Sequence, residues 1–163
     1  MQQTSIQIPL QIFPGREALI PDDAELLDAA KQAIIDAYAP YSDFKVGVAL
    51  RLINGCIVKG SNQENASFPA GICAERVALS AASAMFPGLA VTALALTYIN
   101  ESGSGRQPIS PCGICRQSLL EYEQRFEQNI RLILGGVTGE IFVLSKATDL
   151  LPLAFSSREL NSL

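Results

Sequence analysis

Histidine is absent from all 163 residues of this chain. That absence removes every Ser-His-Asp and Cys-His nucleophile pair and every metal site that needs an imidazole, so a metal here has to be held by sulfur or oxygen. Also missing is any run of lysines or arginines. Twelve basic residues against 16 acidic ones leave a net charge of −4, which argues against the basic face that displaces counterions from a nucleic acid. No apolar stretch reaches the ~18 residues that cross a bilayer. The N-terminal stretch "MQQTSIQIPLQIFPG" has no positively charged start, no continuous apolar core and no small-residue cleavage site, so it does not read as a signal peptide. The expectation is a cytoplasmic chain with neither a membrane nor a nucleic-acid partner. Its four cysteines then stay reduced and serve a metal or catalysis rather than disulfides.

What is present suits one compact domain: the hydrophobic fraction is 48% and the charged fraction 17%, and no repeat or linker interrupts the chain. Residues 1–20 alternate weakly (Ile6, Ile8, Leu10, Ile12) and are broken by Pro9, Pro14 and Pro21. They read as an edge strand or packed arm ahead of a single domain over 21–163. Asp22 and Asp23 offer an N-cap to an amphipathic helix carrying Leu27, Ala30, Ile34 and Tyr38 and stopping at Pro40. "FKVGVALRLINGCIVKGSN" predicts a hairpin around Asn54-Gly55, with both residues at positive φ. "CAERVALSAASAMF" reads as a helix ended by Pro87-Gly88, and "AVTALALTYI" as a buried strand. A polar loop "NESGSGRQPIS", a second helix "CGICRQSLLEYEQRF" and strands "IRLILGG" and "EIFVL" follow. The alternation predicts a five-stranded α/β sandwich.

The chemistry gathers at two helix starts. Cys112 and Cys115 form a C-x-x-C in the first turn of one predicted helix, and Cys73 stands at the same place on another. Three thiolates can converge where these N-termini meet, and the exposed N–H groups there lower thiol pKa values. Sulfur ligands favour zinc or an iron–sulfur cluster, and three on a zinc leave a fourth position for water. Glu75, two residues after Cys73, can then sit beside that position as a proton carrier. Other readings stay open on the residues alone. The C-x-x-C could be a redox pair, Glu75 could simply answer the helix dipole, and Cys56 could close a structural zinc site, although its strand setting suits a small buried hydrophobe.

Taken together, these blocks resemble the small homotetrameric, zinc-dependent cytidine deaminases. A glutamate two residues after the first ligand, followed by P-C-x-x-C, is the zinc deaminase signature in its three-cysteine form. The likeness runs from about Ala29 to Leu160 through "AYAPYSDFKVG", "GSNQENASFPAGICAERVAL", "SPCGICRQ" and "LLPLAFSSREL". It implies a three-layer α/β/α sandwich around a five-stranded mixed sheet, with Zn2+ on Cys73, Cys112 and Cys115. It also implies hydrolytic deamination of cytidine and 2′-deoxycytidine to uridine and 2′-deoxyuridine, by a zinc-bound hydroxide with Glu75 as proton shuttle, in pyrimidine salvage. By the same resemblance Arg76 hydrogen-bonds ligand sulfurs and offsets their charge. Asn62 and Glu64 bind the ribose hydroxyls, Phe44 packs on the pyrimidine, Ala74 joins the substrate contacts, and Phe155 reaches the site of a neighbouring subunit. Departures are Val48 in place of the usual alanine, the longer N-terminal arm, and the lengthened loop near residues 100–110. A deaminase of another amino-heterocycle, and a structural-zinc module closed by Cys56, are the competing readings.

Overall fold

The computed structural model describes residues 1–100 and 105–160, and its architecture follows from the strand Val91–Ile99 (β4). This strand is buried on both faces, as a near-continuous apolar run requires. Its faces differ in size. Ala93 and Ala95 pack with Leu26, Leu27 and Ala30 of the helix Pro21–Ala33 (α1). Leu94 and Leu96 pack on the other side with Ala78 and Leu79 of Ala74–Met85 (α2) and Leu119 of Gly113–Phe126 (α3). Alanines let one helix approach the sheet closely, while leucines fill the wider space under two. The layers are therefore α1, sheet, and α2 with α3, the three-layer sandwich that the family resemblance implies.

Lys45–Leu52 (β2) pairs antiparallel with β4, and Ile57–Ser61 (β3) pairs antiparallel with β2. Arg131–Gly135 (β5) lies parallel to β4, with the intervening α3 as the crossover that a parallel pair needs. Ile141–Leu144 (β6) returns antiparallel to β5. A sixth strand, Gln11–Phe13 (β1), pairs with β6 and corrects the expected count of five. Three residues, mostly exposed, give it little alternation of its own; it is held by its partner's backbone. The sheet order is β1-β6-β5-β4-β2-β3.

Two local expectations shift. Pro21 occupies the first helical position of α1, its fixed φ suiting that place, so Ile20 is the cap and Asp22 and Asp23 fall in the first turn. Asp23 is buried there in a 2.9 Å ion pair with Arg131. At the hairpin only Gly55 takes a positive φ, of 85°. Gly55 N donates to Leu52 O at 2.8 Å and Leu52 N to Cys56 O at 2.9 Å. This closes a three-residue loop that needs one left-handed position rather than two.

Gly60 on β3 positions α2. A Cβ there would stand 2.6 Å from Ala78 N and 2.7 Å from Ala74 O. Only a residue without a side chain allows the start of α2 to lie on the strand.

Candidate active site

Cys73 and Cys112 are the cap residues of α2 and α3, both in extended conformation and neither making a side-chain capping hydrogen bond. Their thiols are free to turn toward each other. Cys115, one turn into α3, is fully buried. The Sγ–Sγ distances are 3.8 Å for Cys73–Cys112 and 3.5 Å for Cys112–Cys115, and all three sulfurs lie within 4.8 Å of one another. A tetrahedral zinc with bonds of about 2.3 Å holds its sulfurs roughly 3.8 Å apart. The three cysteines fit that ion. They form no disulfide, and among the described residues no other Cys, Asp or Glu joins the group. Cys56 instead packs half-buried against the hydrophobic core, which removes the closed four-cysteine reading.

The electrostatics favour thiolate. The Cys73 thiol is pushed down to about 6, first because Cys115 donates a hydrogen bond to its sulfur, against the opposing effect of burial. Cys112 and the positive charge of Arg76 act in the same direction. Cys115 is pushed up by that same bond and by burial, so the metal-free triangle keeps its negative charge on Cys73. Arg76 sits half-buried on the first turn of α2, which accounts for the guanidinium's effect on the sulfur.

Glu75 is 4% exposed. Burial raises its carboxyl above the ordinary range, and the negative Cys73 adds to the effect. It lines a cleft of about 370 Å³ with Cys73, Cys112, Ala74, Phe44, Asn62 and Glu64. Ser42, Val46, Leu96, Ile109 and Ser110 complete that lining. A second cavity of about 470 Å³ adjoins it through Ser42, Asn62, Glu64 and Cys73, and is walled by Tyr41 and Phe68. A larger cavity, about 710 Å³, lies between α1 and β3 and contains no cysteine. Size alone does not locate the chemistry.

The cleft residues are held in place. The Phe44 ring stacks on Tyr98 with centroids 5.0 Å apart and planes 19° apart. Asn62 Nδ2 donates to Phe44 O at 2.9 Å, and its Oδ1 accepts from Val46 N at 2.8 Å. That leaves one amide hydrogen for a ligand. Glu64 Oε2 accepts from Tyr41 N at 2.9 Å and Ser42 N at 3.3 Å, and Oε1 accepts from the Ser42 hydroxyl. These bonds hold its carboxyl below the usual range, the Ser42 hydroxyl contributing most. Phe155 is 61% exposed and does not line its own chain's cleft. Sequence reading passes over Ser42 and Tyr98. A turn signal for Ser42 exists in "YSDF", where Ser42 Oγ accepts from Phe44 N at 3.1 Å and Asp43 takes a positive φ; nothing local marks Tyr98. The lengthened loop expected near residues 100–110 falls partly on residues 101–104, outside the described residues.

Comparison with known proteins agrees with this geometry. The family described as "Cytidine and deoxycytidylate deaminase zinc-binding region" matches residues 21–126. A cytidine deaminase of Halalkalibacterium halodurans is 35% identical over 140 residues, covering 86% of this chain and 98% of the relative. One from Sporosarcina psychrophila is 36% identical, covering 86% and 96%. The crystal structure of cytidine deaminase from Burkholderia pseudomallei superposes with a TM-score of 0.70 at 41% identity, covering 80% of this chain and 97% of that one. With three sulfurs at zinc spacing beside a buried glutamate, and matches of this extent, the chain belongs to the zinc-binding cytidine and deoxycytidylate deaminase family.

Proposed function

We propose that this chain deaminates cytidine and 2′-deoxycytidine by hydrolysis, releasing ammonia and leaving uridine and 2′-deoxyuridine, as a step of pyrimidine salvage in the cytoplasm. The observation that carries the reading is Glu75. A buried carboxyl of raised proton affinity, on the floor of a nucleoside-sized cleft and beside three sulfurs, is poised both to take a proton and to give one back. Zinc on Cys73, Cys112 and Cys115 supplies activation of a water molecule.

The remaining steps belong to the chain. Glu75 takes one proton of the water and delivers it to N3 of the ring, making C4 electrophilic to the hydroxyl that is left. Once the C4–O bond has formed, Glu75 takes that hydroxyl's remaining proton and passes it to the amine, which leaves as ammonia when the C4–N bond breaks and C4=O remains. Phe44, stiffened by Tyr98, offers a flat face to the pyrimidine. The free amide hydrogen of Asn62 and the charged Glu64 carboxylate face the ribose hydroxyls, and buried Ala74 forms part of the wall. Arg76 offsets the charge of the sulfurs. Residues 21–163 act as one deaminase domain, preceded by an arm, 1–20, that lends β1 to the sheet. We further propose a homotetramer in which Phe155 enters a neighbouring site. Its 61% exposure speaks against an anchor on its own subunit.

The test is loss of the near-ultraviolet absorbance of cytidine and of deoxycytidine, for the wild type and Glu75→Gln, with zinc content measured in both. Turnover by the wild type and a loss of ~10²-fold or more in a variant that keeps its zinc is the expected result. A zinc-loaded wild type that leaves both nucleosides intact overturns the assignment.

A further inference from the structure

Arg116 directly follows Cys115, yet its half-buried guanidinium joins none of the ion pairs found among the described residues. Its bonds go to backbone carbonyls. Nε donates to Pro111 O at 2.7 Å, and Nη1 donates to Leu150 O at 3.0 Å. Its own backbone N donates to Cys112 O at 2.9 Å. Arg116 therefore grips the carbonyl of Cys112 and the carbonyl just before it. Cys112 is the exposed member of the sulfur triangle and lacks a side-chain capping bond, so its backbone needs this support more than that of buried Cys115. The adjacent Gln117 reaches the same way, its Nε2 donating to Phe155 O at 3.0 Å. One turn of α3 thus holds the Cys112 loop on one side and Leu150–Phe155 on the other.

We propose that Arg116 is the positioning residue for the Cys112 thiolate and, together with Gln117, couples metal occupancy to the seating of the segment Leu150–Phe155. The arrangement has a directional logic. A planar fork can serve two carbonyls that lie in different directions, whereas an ammonium is a single point charge. When a metal draws Cys112 into the triangle, Pro111 O and Arg116 are fixed with it, and so is the carbonyl of Leu150. Coupling of this kind is reciprocal: whatever loosens the segment weakens the hold on the metal. The inference rests on the reading that the three cysteines hold zinc.

The experiment compares wild type with Arg116→Ala in two measurements. Zinc transfer from the loaded protein to a chromophoric chelator is expected to be about 10- to 100-fold faster in the variant, the usual effect of losing a group that orients a ligand. Hydrogen exchange in the peptide 147–156 is followed in zinc-loaded and metal-stripped protein. In the wild type, stripping is expected to speed exchange; in Arg116→Ala, exchange is fast with or without metal. A structural role alone gives no such loss of metal dependence. Unchanged zinc release, wild-type exchange that ignores the metal, or a metal dependence that survives in the variant each overturns the proposal. If Arg116→Ala does not fold, Arg116→Lys makes the same test, since it keeps the charge and loses the fork. A wild type that binds no zinc overturns the metal reading; one bound zinc with unchanged release from the variant overturns the proposal for Arg116 and leaves the metal reading standing.

Discussion

Gly60→Ala offers a test of how the fold sets the chemistry, because the perturbation is one methyl group placed outside the cleft. The new Cβ meets Ala78 N at 2.6 Å and Ala74 O at 2.7 Å, whereas ordinary contact begins near 3.4 Å. Both obstacles are backbone, so α2 has to retreat by about 0.8 Å, the difference between 3.4 Å and 2.6 Å. Overpacking of this kind costs about 1–3 kcal/mol. In a chain of this size that corresponds to a melting temperature about 2–12 °C lower. It is less than the total stability of about 5–15 kcal/mol, so the variant remains folded at 25 °C. The helix that retreats carries Ala74 and Glu75 in its first turn and Cys73 as its cap. A misplacement near 1 Å can cost about 10²-fold in rate. The expected result is a folded protein whose kcat/KM for cytidine falls about 10- to 100-fold. Thermal melting, zinc content and initial rates measured on the same preparation provide the assay. Wild-type activity with a lowered melting temperature would mean that the strain dissipates in β3 and that Gly60 does not position the site.

Two more outcomes follow from the geometry. Phe155→Ala removes an exposed ring, so chain stability should change by no more than about 0.5 kcal/mol, while activity and the assembled mass measured by light scattering should both fall. Full activity at unchanged mass refutes a shared site. In metal-stripped protein, iodoacetamide should alkylate Cys73 at a rate rising through about pH 6, and a midpoint near 9 in peptide mapping contradicts the hydrogen-bonded triangle. The sign for stability follows: a thiol lowered from 9.0 to about 6 contributes above the unfolded value, and that contribution is lost as pH falls through about 6.

The sulfur triangle and Glu75 were legible because their signal is local. Each sits at or just inside a helix start, and helix starts are marked by the apolar period that follows them. The support around them was not. Asn62 is locked by Val46 and Phe44, 16 and 18 residues away, and Tyr98 reaches Phe44 from another strand. Such pairs exist only once β2, β3 and β4 are in register. The five longer strands announced themselves through β-branched and apolar runs, whereas β1, of three residues, is defined by the partner it finds on β6. At the hairpin, Asn-Gly marked the turn correctly but not its type, because the Leu52–Cys56 pairing decided the loop length.

The absence of histidine has a consequence for how the metal site is built. Three thiolates place one more negative charge on zinc than its own two positive charges neutralise, and that charge weakens a Lewis acid. The fold answers with positive potential from backbone and side chain together. Cys73 and Cys112 are cap residues, so two helix N-termini point at the sulfurs, each equivalent to roughly half a positive charge. Arg76 adds a guanidinium that already acts on Cys73. The choice has its own cost. A serine or aspartate cap bonds to the helix and contributes about 0.5–2 kcal/mol, and neither cysteine makes that bond. A metal held by Cys73 and Cys112 would join the two helix starts through their cap residues, which would tie the stability of α2 and α3 to the ion.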